Sequence, residues 1–127
     1  FYGPHFQAVF DFANFVQVGQ ETLPAYELLK PYVTYVHVKD AQWGTGTVVP
    51  AGQGDGHVGE ILADLIGGGW KGFLSLEPHL TDFAGLAALE QDPQKRGSAL
   101  DGKAAWKLAL DALHTILETI PQAKEAL

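Results

Sequence analysis

The fold of this chain is decided by residues 35–40, which read Tyr-Val-His-Val-Lys-Asp. Positions 33–38 hold β-branched and aromatic residues apart from one histidine, and such residues are enriched in β-strands. The run is apolar on both faces, as is typical of a parallel strand covered by helices. We therefore predict a buried strand over residues 33–38 that carries His37 to its polar carboxyl end.

Two further apolar runs end in an acidic residue in the same way. Residues 8–12 are predicted to form a strand that includes Asp11, and residues 71–77 a strand that closes with Glu77. Side chains alternate between the two faces of a strand. Asp11, His37 and Glu77 are therefore each predicted to lie opposite the main aliphatic positions of their strands.

Predicted helices separate these strands. The alternating order, without hairpin signals, predicts an α/β fold with parallel strands in one domain, residues 1–127. The predicted helices cover residues 22–30, 58–66 and 102–119, with a short piece at 83–89, and the predicted loops cover residues 13–20 and 40–57. The last helix is predicted to bury an apolar stripe of Trp106, Leu110, Leu113 and Leu117.

The composition excludes several classes of protein. The net charge of −7 opposes binding to nucleic acid and to anionic membranes. No apolar run approaches the roughly 20 residues that span a bilayer. Because the chain has no cysteine, disulfides and thiolate metal sites are excluded, which fits a cytoplasmic protein.

The chain also lacks methionine and opens directly on Phe1, so we expect further structure upstream. Three strand–helix units leave two open sheet edges, and such edges favour pairing. We expect a homodimer, or association with a missing N-terminal half.

Asp11, His37 and Glu77 together indicate a metal site. In parallel α/β folds, ligands bind at the carboxyl ends of the strands. Buried carboxylates are costly unless they are paired or bound to a cation, and a divalent ion would offset their repulsion. Oxygen and nitrogen donors suit Mn²⁺, Mg²⁺, Co²⁺ or Zn²⁺.

Each of these residues also fits a role without a metal. Asp11 fits a cap of the turn that follows its strand, His37 fits a hydrogen-bonded core histidine, and Glu77 fits a solvated strand end.

Four further residues are candidates for contacting a substrate: Asn14, Lys39, Trp43 and His79. Asn14 also fits a turn, and Lys39 with Asp40 also fits a surface ion pair. His79 also fits an exposed position. Phe12 and Trp43 fit apolar walls against a sugar.

Other motifs have both functional and ordinary interpretations. Asp55 and His57 have a spacing found in some zinc sites, but they also fit a loop and a helix cap. The glycine-rich residues 52–56 lack the Lys-Ser/Thr of a phosphate-binding loop. Lys95 and Arg96 fit a phosphate site or a solvated surface.

The motifs at residues 10–14 (FDFAN), 35–40 (YVHVKD), 52–55 (GQGD) and 72–79 (GFLSLEPH) follow one another in a familiar order. This order resembles the xylose isomerase-like TIM barrels, the sugar phosphate isomerase/epimerase superfamily, which includes ketose 3-epimerases and inosose dehydratases. The resemblance implies that the chain is the C-terminal portion of such a barrel. It would contain three parallel βα units that correspond to strands 6–8.

The resemblance also implies a function. Asp11, His37 and Glu77 match three of four metal ligands, the fourth being a Glu on an earlier strand, and Glu77 matches an acid/base residue. The family's epimerases often have His in place of Asn14, and Arg where this chain has Trp43 and glycines. The implied function is a metal-dependent isomerase or epimerase of a sugar, sugar phosphate or inositol, with the isolated chain inactive or nearly so. The alternative is a non-catalytic half-barrel module that binds a carbohydrate or a protein.

Overall fold

The structure is a computed structural model, and it describes residues 2–81 and 101–124. The strands are β1 (Ala8–Asp11), β2 (Val33–Val38), β3 (Asp40–Ala41), β4 (Val48–Val49) and β5 (Phe73–Leu76). The helices are α1 (Phe12–Gln17), α2 (Thr22–Leu29), α3 (Val58–Gly67), α4 (Gly102–Leu117) and α5 (Pro121–Lys124), with a 3₁₀ turn at Lys30–Tyr32. None of these helices combines the length and hydropathy that crossing a bilayer requires.

The main sheet has three strands in the order β1-β2-β5, and both pairings are parallel. The predicted α/β fold with a parallel sheet is therefore confirmed. In the register, Asp11 lies beside His37, and His37 lies beside Ser75. Glu77 follows two residues after Ser75, so the carboxyl ends of all three strands meet at one edge.

The two faces of this sheet differ in burial. Phe10 and Val36 lie on one face, are fully buried, and join a core with residues of α2, α3, α4 and α5. On the other face, which also carries His37, Val9 is 53% exposed and Phe73 is 74% exposed. Among the described residues, the helices therefore cover one face and leave open the face that carries the polar strand ends.

Helix α1 replaces most of the predicted loop at residues 13–20, and that prediction was wrong. The Asp11 carboxylate accepts a hydrogen bond from the backbone N–H of Asn14 at 3.0 Å and caps the helix. Phe12 and Val16 are buried on its inner side. The strand consequently ends at Asp11, one residue earlier than predicted.

A short hairpin inside the predicted loop 40–57 is a second difference. Strands β3 and β4 are antiparallel, with Asp40 opposite Val49 and Ala41 opposite Val48. A ladder of two residues is too short to produce a detectable alternation of apolar and polar residues, so the sequence pattern did not indicate it.

The buried stripe of α4 is also different from the one predicted. Its buried residues are Ala105, Ala109, Leu113 and Leu117, whereas Trp106 and Leu110 are exposed. Only the second half of the predicted stripe is therefore correct. The predicted helical piece at residues 83–89, and Lys95 and Arg96, lie outside the described residues.

A polar contact joins α2 and α3. The Tyr26 hydroxyl donates a hydrogen bond to Asp64 Oδ2 at 2.5 Å, and Lys30 pairs with the same oxygen. The hydrogen bonds from Lys30 and then from Tyr26 hold the pKa of Asp64 below its usual value. Burial, followed by the contact with Asp64, raises the pKa of Tyr26.

Replacing Tyr26 with Phe is expected to lower the free energy of unfolding by about 1 kcal/mol at neutral pH, because a hydrogen bond to a charged acceptor is lost. The pKa of Asp64 is lower in the folded chain than its usual 3.8. The stability from ionised Asp64 is therefore complete above that value and is lost as the pH falls through the folded-state pKa. The cost of the substitution should shrink there, as measured by urea denaturation at about pH 7 and about pH 3.

Tyr32→Phe is the matched control, because the Tyr32 hydroxyl has no hydrogen bond to any described residue and the ring is partly exposed. It should change stability by less than about 0.5 kcal/mol. An equal cost of Tyr26→Phe at both pH values would contradict the role of ionised Asp64.

Candidate metal centre

Asp11, His37 and Glu77 converge at the carboxyl edge of the parallel sheet. One potential ligand atom from each lies within 4.8 Å of the others. His37 Nδ1 is 3.4 Å from Glu77 Oε2 and 3.8 Å from Asp11 Oδ2. The parallel register produces this arrangement, since it aligns the ends of β1, β2 and β5.

Asp11 uses its two carboxylate oxygens differently. Oδ1 caps α1, as described above, so the interpretation of Asp11 as a cap is correct. Oδ2 is buried and forms an ion pair with Lys39 Nζ, 3.1 Å away. Burial raises the pKa of Asp11, while the charge of Lys39 and the hydrogen bond from Asn14 oppose that rise. One residue thus serves both as a helix cap and as a potential ligand.

Lys39 lies between the two carboxylates. Its side chain follows His37 on the same face, and only 7% of the residue is exposed. Its Nζ is 3.1 Å from Asp11 Oδ2 and 3.1 Å from Glu77 Oε2. From the sequence, we expected a divalent metal ion to offset the repulsion between these carboxylates. In the structure, one ammonium group already offsets one of their two negative charges.

Glu77 and His79 complete this group of side chains. Burial raises the pKa of Glu77, but the hydrogen bond and charge of Lys39 outweigh it and hold the pKa below its usual value. His79 Nε2 is 3.6 Å from Glu77 Oε1, and its backbone is left-handed, with φ 43°. Burial, followed by the charge of Lys39, lowers the pKa of His79. At neutral pH the site therefore offers an ionised carboxylate beside an uncharged imidazole.

The remaining substrate candidates lie in different surroundings. Asn14 is exposed on α1. Trp43 is 48% exposed and lines a cavity of about 490 Å³ together with Asp55 and His57. The described lining of that cavity includes none of the three potential metal ligands. Phe12 is fully buried in the core, so its predicted role as an apolar wall is wrong.

Asp40 explains the glycine-rich segment. Its fully buried carboxylate accepts hydrogen bonds from the backbone N–H groups of Gly52, Gly54 and Gly56 at 2.9–3.0 Å. A Cβ atom on Gly54 would lie 2.5 Å from Asp40 Oδ1, and one on Gly56 would lie 2.7 Å from it. The glycines therefore allow the backbone to approach a carboxylate of the chain itself. The proposed surface pair of Lys39 and Asp40 is wrong, because both are buried and contact different partners.

Asp55 and His57 contact other groups. Asp55 Oδ2 accepts a hydrogen bond from the backbone N–H of Trp43 at 2.6 Å. His57 precedes α3 in a left-handed conformation, and its Nδ1 is 3.3 Å from Glu60 Oε2. Among the described residues, three side chains that could hold a metal ion come together at Asp11, His37 and Glu77 and not here.

The side chains of Asp11, His37 and Glu77 at the sheet edge have the donor atoms that a divalent metal ion requires. They combine carboxylate oxygen with imidazole nitrogen, a donor set that suits Mn²⁺, Mg²⁺, Co²⁺ or Zn²⁺. Asp11 Oδ1 accepts the helix-cap hydrogen bond, which leaves the buried Oδ2 to pair with a cation, and Lys39 Nζ already lies 3.1 Å from it.

The comparisons with known proteins bear on the fold. No protein-family model matches the chain, and no curated protein matches it either. A crystal structure of a xylose isomerase domain protein from Planctomyces limnophilus superimposes with a TM-score of 0.65 over 93% of this chain. The chain has a xylose isomerase-like fold. The resemblance found in the sequence is therefore confirmed at the level of the fold.

The extent of this similarity is limited in two ways. The sequences are 23% identical, and the chain spans 40% of the Planctomyces limnophilus protein. The activity and substrate of the chain are accordingly matters of proposal.

Proposed function

We propose that the chain is the C-terminal part of a metal-dependent isomerase or epimerase that acts on a sugar, a sugar phosphate or an inositol. Its three parallel βα units would correspond to strands 6–8 of a TIM barrel. The observation that carries the proposal is the convergence of Asp11, His37 and Glu77 at one edge of a parallel sheet. The fold shared with a xylose isomerase domain protein supports it.

Asp11, His37 and Glu77 would hold the divalent ion. A bound ion of this kind acts as a Lewis acid towards a carbonyl oxygen. The three side chains come from three adjacent strands, so the spacing of the sheet keeps them in place.

Glu77 would move the proton. Its lowered pKa keeps the carboxylate ionised at neutral pH, which a base requires. It would accept a proton from the carbon beside the substrate carbonyl. An isomerisation would be completed by delivery of that proton to the former carbonyl carbon, together with transfer of the hydroxyl proton from one substrate oxygen to the other. An epimerisation would instead require a second acid, on the other side of the substrate, to return a proton to the opposite face of the same carbon. The reaction is balanced, because the proton that leaves one carbon is restored and no oxidant is needed.

The remaining polar residues would orient the substrate. Lys39 and His79 lie beside Glu77, so their N–H groups can bind substrate oxygens. Asn14 and Trp43 would act from the following loops, Asn14 through its exposed amide and Trp43 through its half-exposed ring.

The open face of the sheet requires a partner. Val9 and Phe73 expose apolar side chains there, and each of β1 and β5 pairs on one side only among the described residues. Because the similar protein extends well beyond the part matched here, the occupant we favour is the N-terminal part of such a barrel.

A chimera tests this occupant. Joining the non-matching part of the Planctomyces limnophilus protein to residues 1–127 should give a monomer in sedimentation. Phe73→Ser should destabilise it by about 2 kcal/mol, because a buried aromatic group is lost. The chain alone should self-associate, and Phe73→Ser should reduce this. If the chain alone instead forms a discrete dimer as stable as the chimera, the open face of the sheet binds a second copy of the chain, and the favoured occupant is wrong.

Metal binding is the most direct test of the site. The chain should bind stoichiometric Mn²⁺ in a calorimetric titration, and His37→Ala should weaken binding by at least about 100-fold because a ligand is lost. His114→Ala, an exposed histidine on α4, is the matched control and should leave the affinity unchanged. A chain that takes up no Mn²⁺ would favour the non-catalytic half-barrel module.

Glu77→Gln tests the chemistry. With Mn²⁺ and a panel of ketoses and inososes in D₂O, deuterium incorporation beside the carbonyl should fall at least about 100-fold, because the amide cannot accept the proton. Glu118, which directly follows α4, is exposed, and Glu118→Gln serves as the control. Because the isolated chain is expected to react slowly, the same substitutions are also tested in the chimera. Equal metal-dependent incorporation with and without the Glu77 carboxylate would defeat its assigned role.

A further inference from the structure

The ammonium group of Lys39 lies beside the two carboxylate oxygens that could bind a metal ion. Its Nζ lies 3.1 Å from Asp11 Oδ2 and 3.1 Å from Glu77 Oε2. His37 Nδ1 approaches the same two oxygens, at 3.8 Å and 3.4 Å. Ammonium and imidazole therefore converge on one pair of carboxylate oxygens.

From this arrangement we propose that Lys39 is a built-in counter-cation that competes with the divalent ion for Asp11 and Glu77. The inference rests on the proposed metal site and adds an exchange step to it. Metal binding requires the ammonium to leave the two oxygens, because two cations that share the same ligands at this distance repel strongly.

The burial of Lys39 determines where its ammonium group can go once a metal ion displaces it. Only 6% of its side chain is exposed, so the displaced ammonium is not simply returned to water. A buried charge needs a new acceptor. The acceptor available in this site is a substrate oxygen beside Glu77. Lys39 would therefore lower the affinity for free metal and become a substrate donor once the metal is bound.

The competition predicts opposite effects on metal affinity and on stability without metal. Lys39→Met removes the charge and keeps a long side chain, so Mn²⁺ should bind at least about tenfold more tightly in calorimetry. In the presence of a chelator, the same protein should unfold at a lower temperature, because Asp11 and Glu77 lose their counter-ion. The Mn²⁺-induced rise in unfolding temperature should then exceed that of the parent chain.

Two variants serve as controls. Lys39→Arg keeps the charge and should leave the Mn²⁺ affinity within about threefold of the parent. Lys103→Met makes the same change of net charge on the exposed side of α4 and should have no effect. Circular dichroism checks that each variant is folded, and if Lys39→Met is not, Lys39→Gln replaces it.

The outcomes separate the two proposals. If the parent binds Mn²⁺ and Lys39→Met binds it equally or more weakly, the competition is refuted and the metal site stands. If only Lys39→Met binds Mn²⁺, the competition is supported and a metal-dependent reaction of the parent is refuted. If neither binds Mn²⁺, both proposals fail.

Discussion

The parallel alignment of three strand ends is the constraint on which the rest of the structure depends. The register places Asp11 beside His37, and His37 beside Ser75, so Glu77 emerges at the same edge two residues later. A shift of one residue in either pairing would move a polar group to the opposite face of the sheet. The apolar core under Phe10 and Val36 prevents such a shift, because it would bury Asp11 or His37 instead.

The charges at this edge show how a chain holds two carboxylates close together. Asp11 and Glu77 both lie near Lys39, yet their pKa values move in opposite directions. Burial raises the pKa of Asp11 more than Lys39 lowers it, whereas for the less buried Glu77 the combined hydrogen bond and charge of Lys39 outweigh the effect of burial on the pKa. The two carboxylates therefore differ chemically: Asp11 is more buried and caps α1, whereas Glu77 is more exposed and contacts both Lys39 and His79.

The segment after β2 also contains a buried carboxylate whose charge is stabilised by other groups of the protein. Asp40 directly follows Lys39 in the sequence and is also buried. Its carboxylate does not pair with Lys39 but accepts hydrogen bonds from backbone N–H groups of the glycine-rich segment. The segment therefore binds an anion through its backbone N–H groups, and that anion is the Asp40 side chain of the same protein. These hydrogen bonds hold residues 52–56 against Asp40 in β3, and Asp55 of the same segment accepts a hydrogen bond from the backbone N–H of Trp43.

The sequence by itself determined the alternating order of strands and helices, the parallel sheet, and the three polar residues at its edge. These follow from local patterns, such as the β-branched run around Val36 and the alternation that separates His37 from its apolar neighbours. Local patterns did not indicate α1, the β3–β4 hairpin or the buried alanines of α4, because these elements are short or depend on what packs against them. Only the tertiary structure decided that Lys39 lies between Asp11 and Glu77 and that Asp40 binds the glycines. Those contacts join residues up to 38 positions apart, and their energies arise from burial and charge, which exist only once the chain has folded.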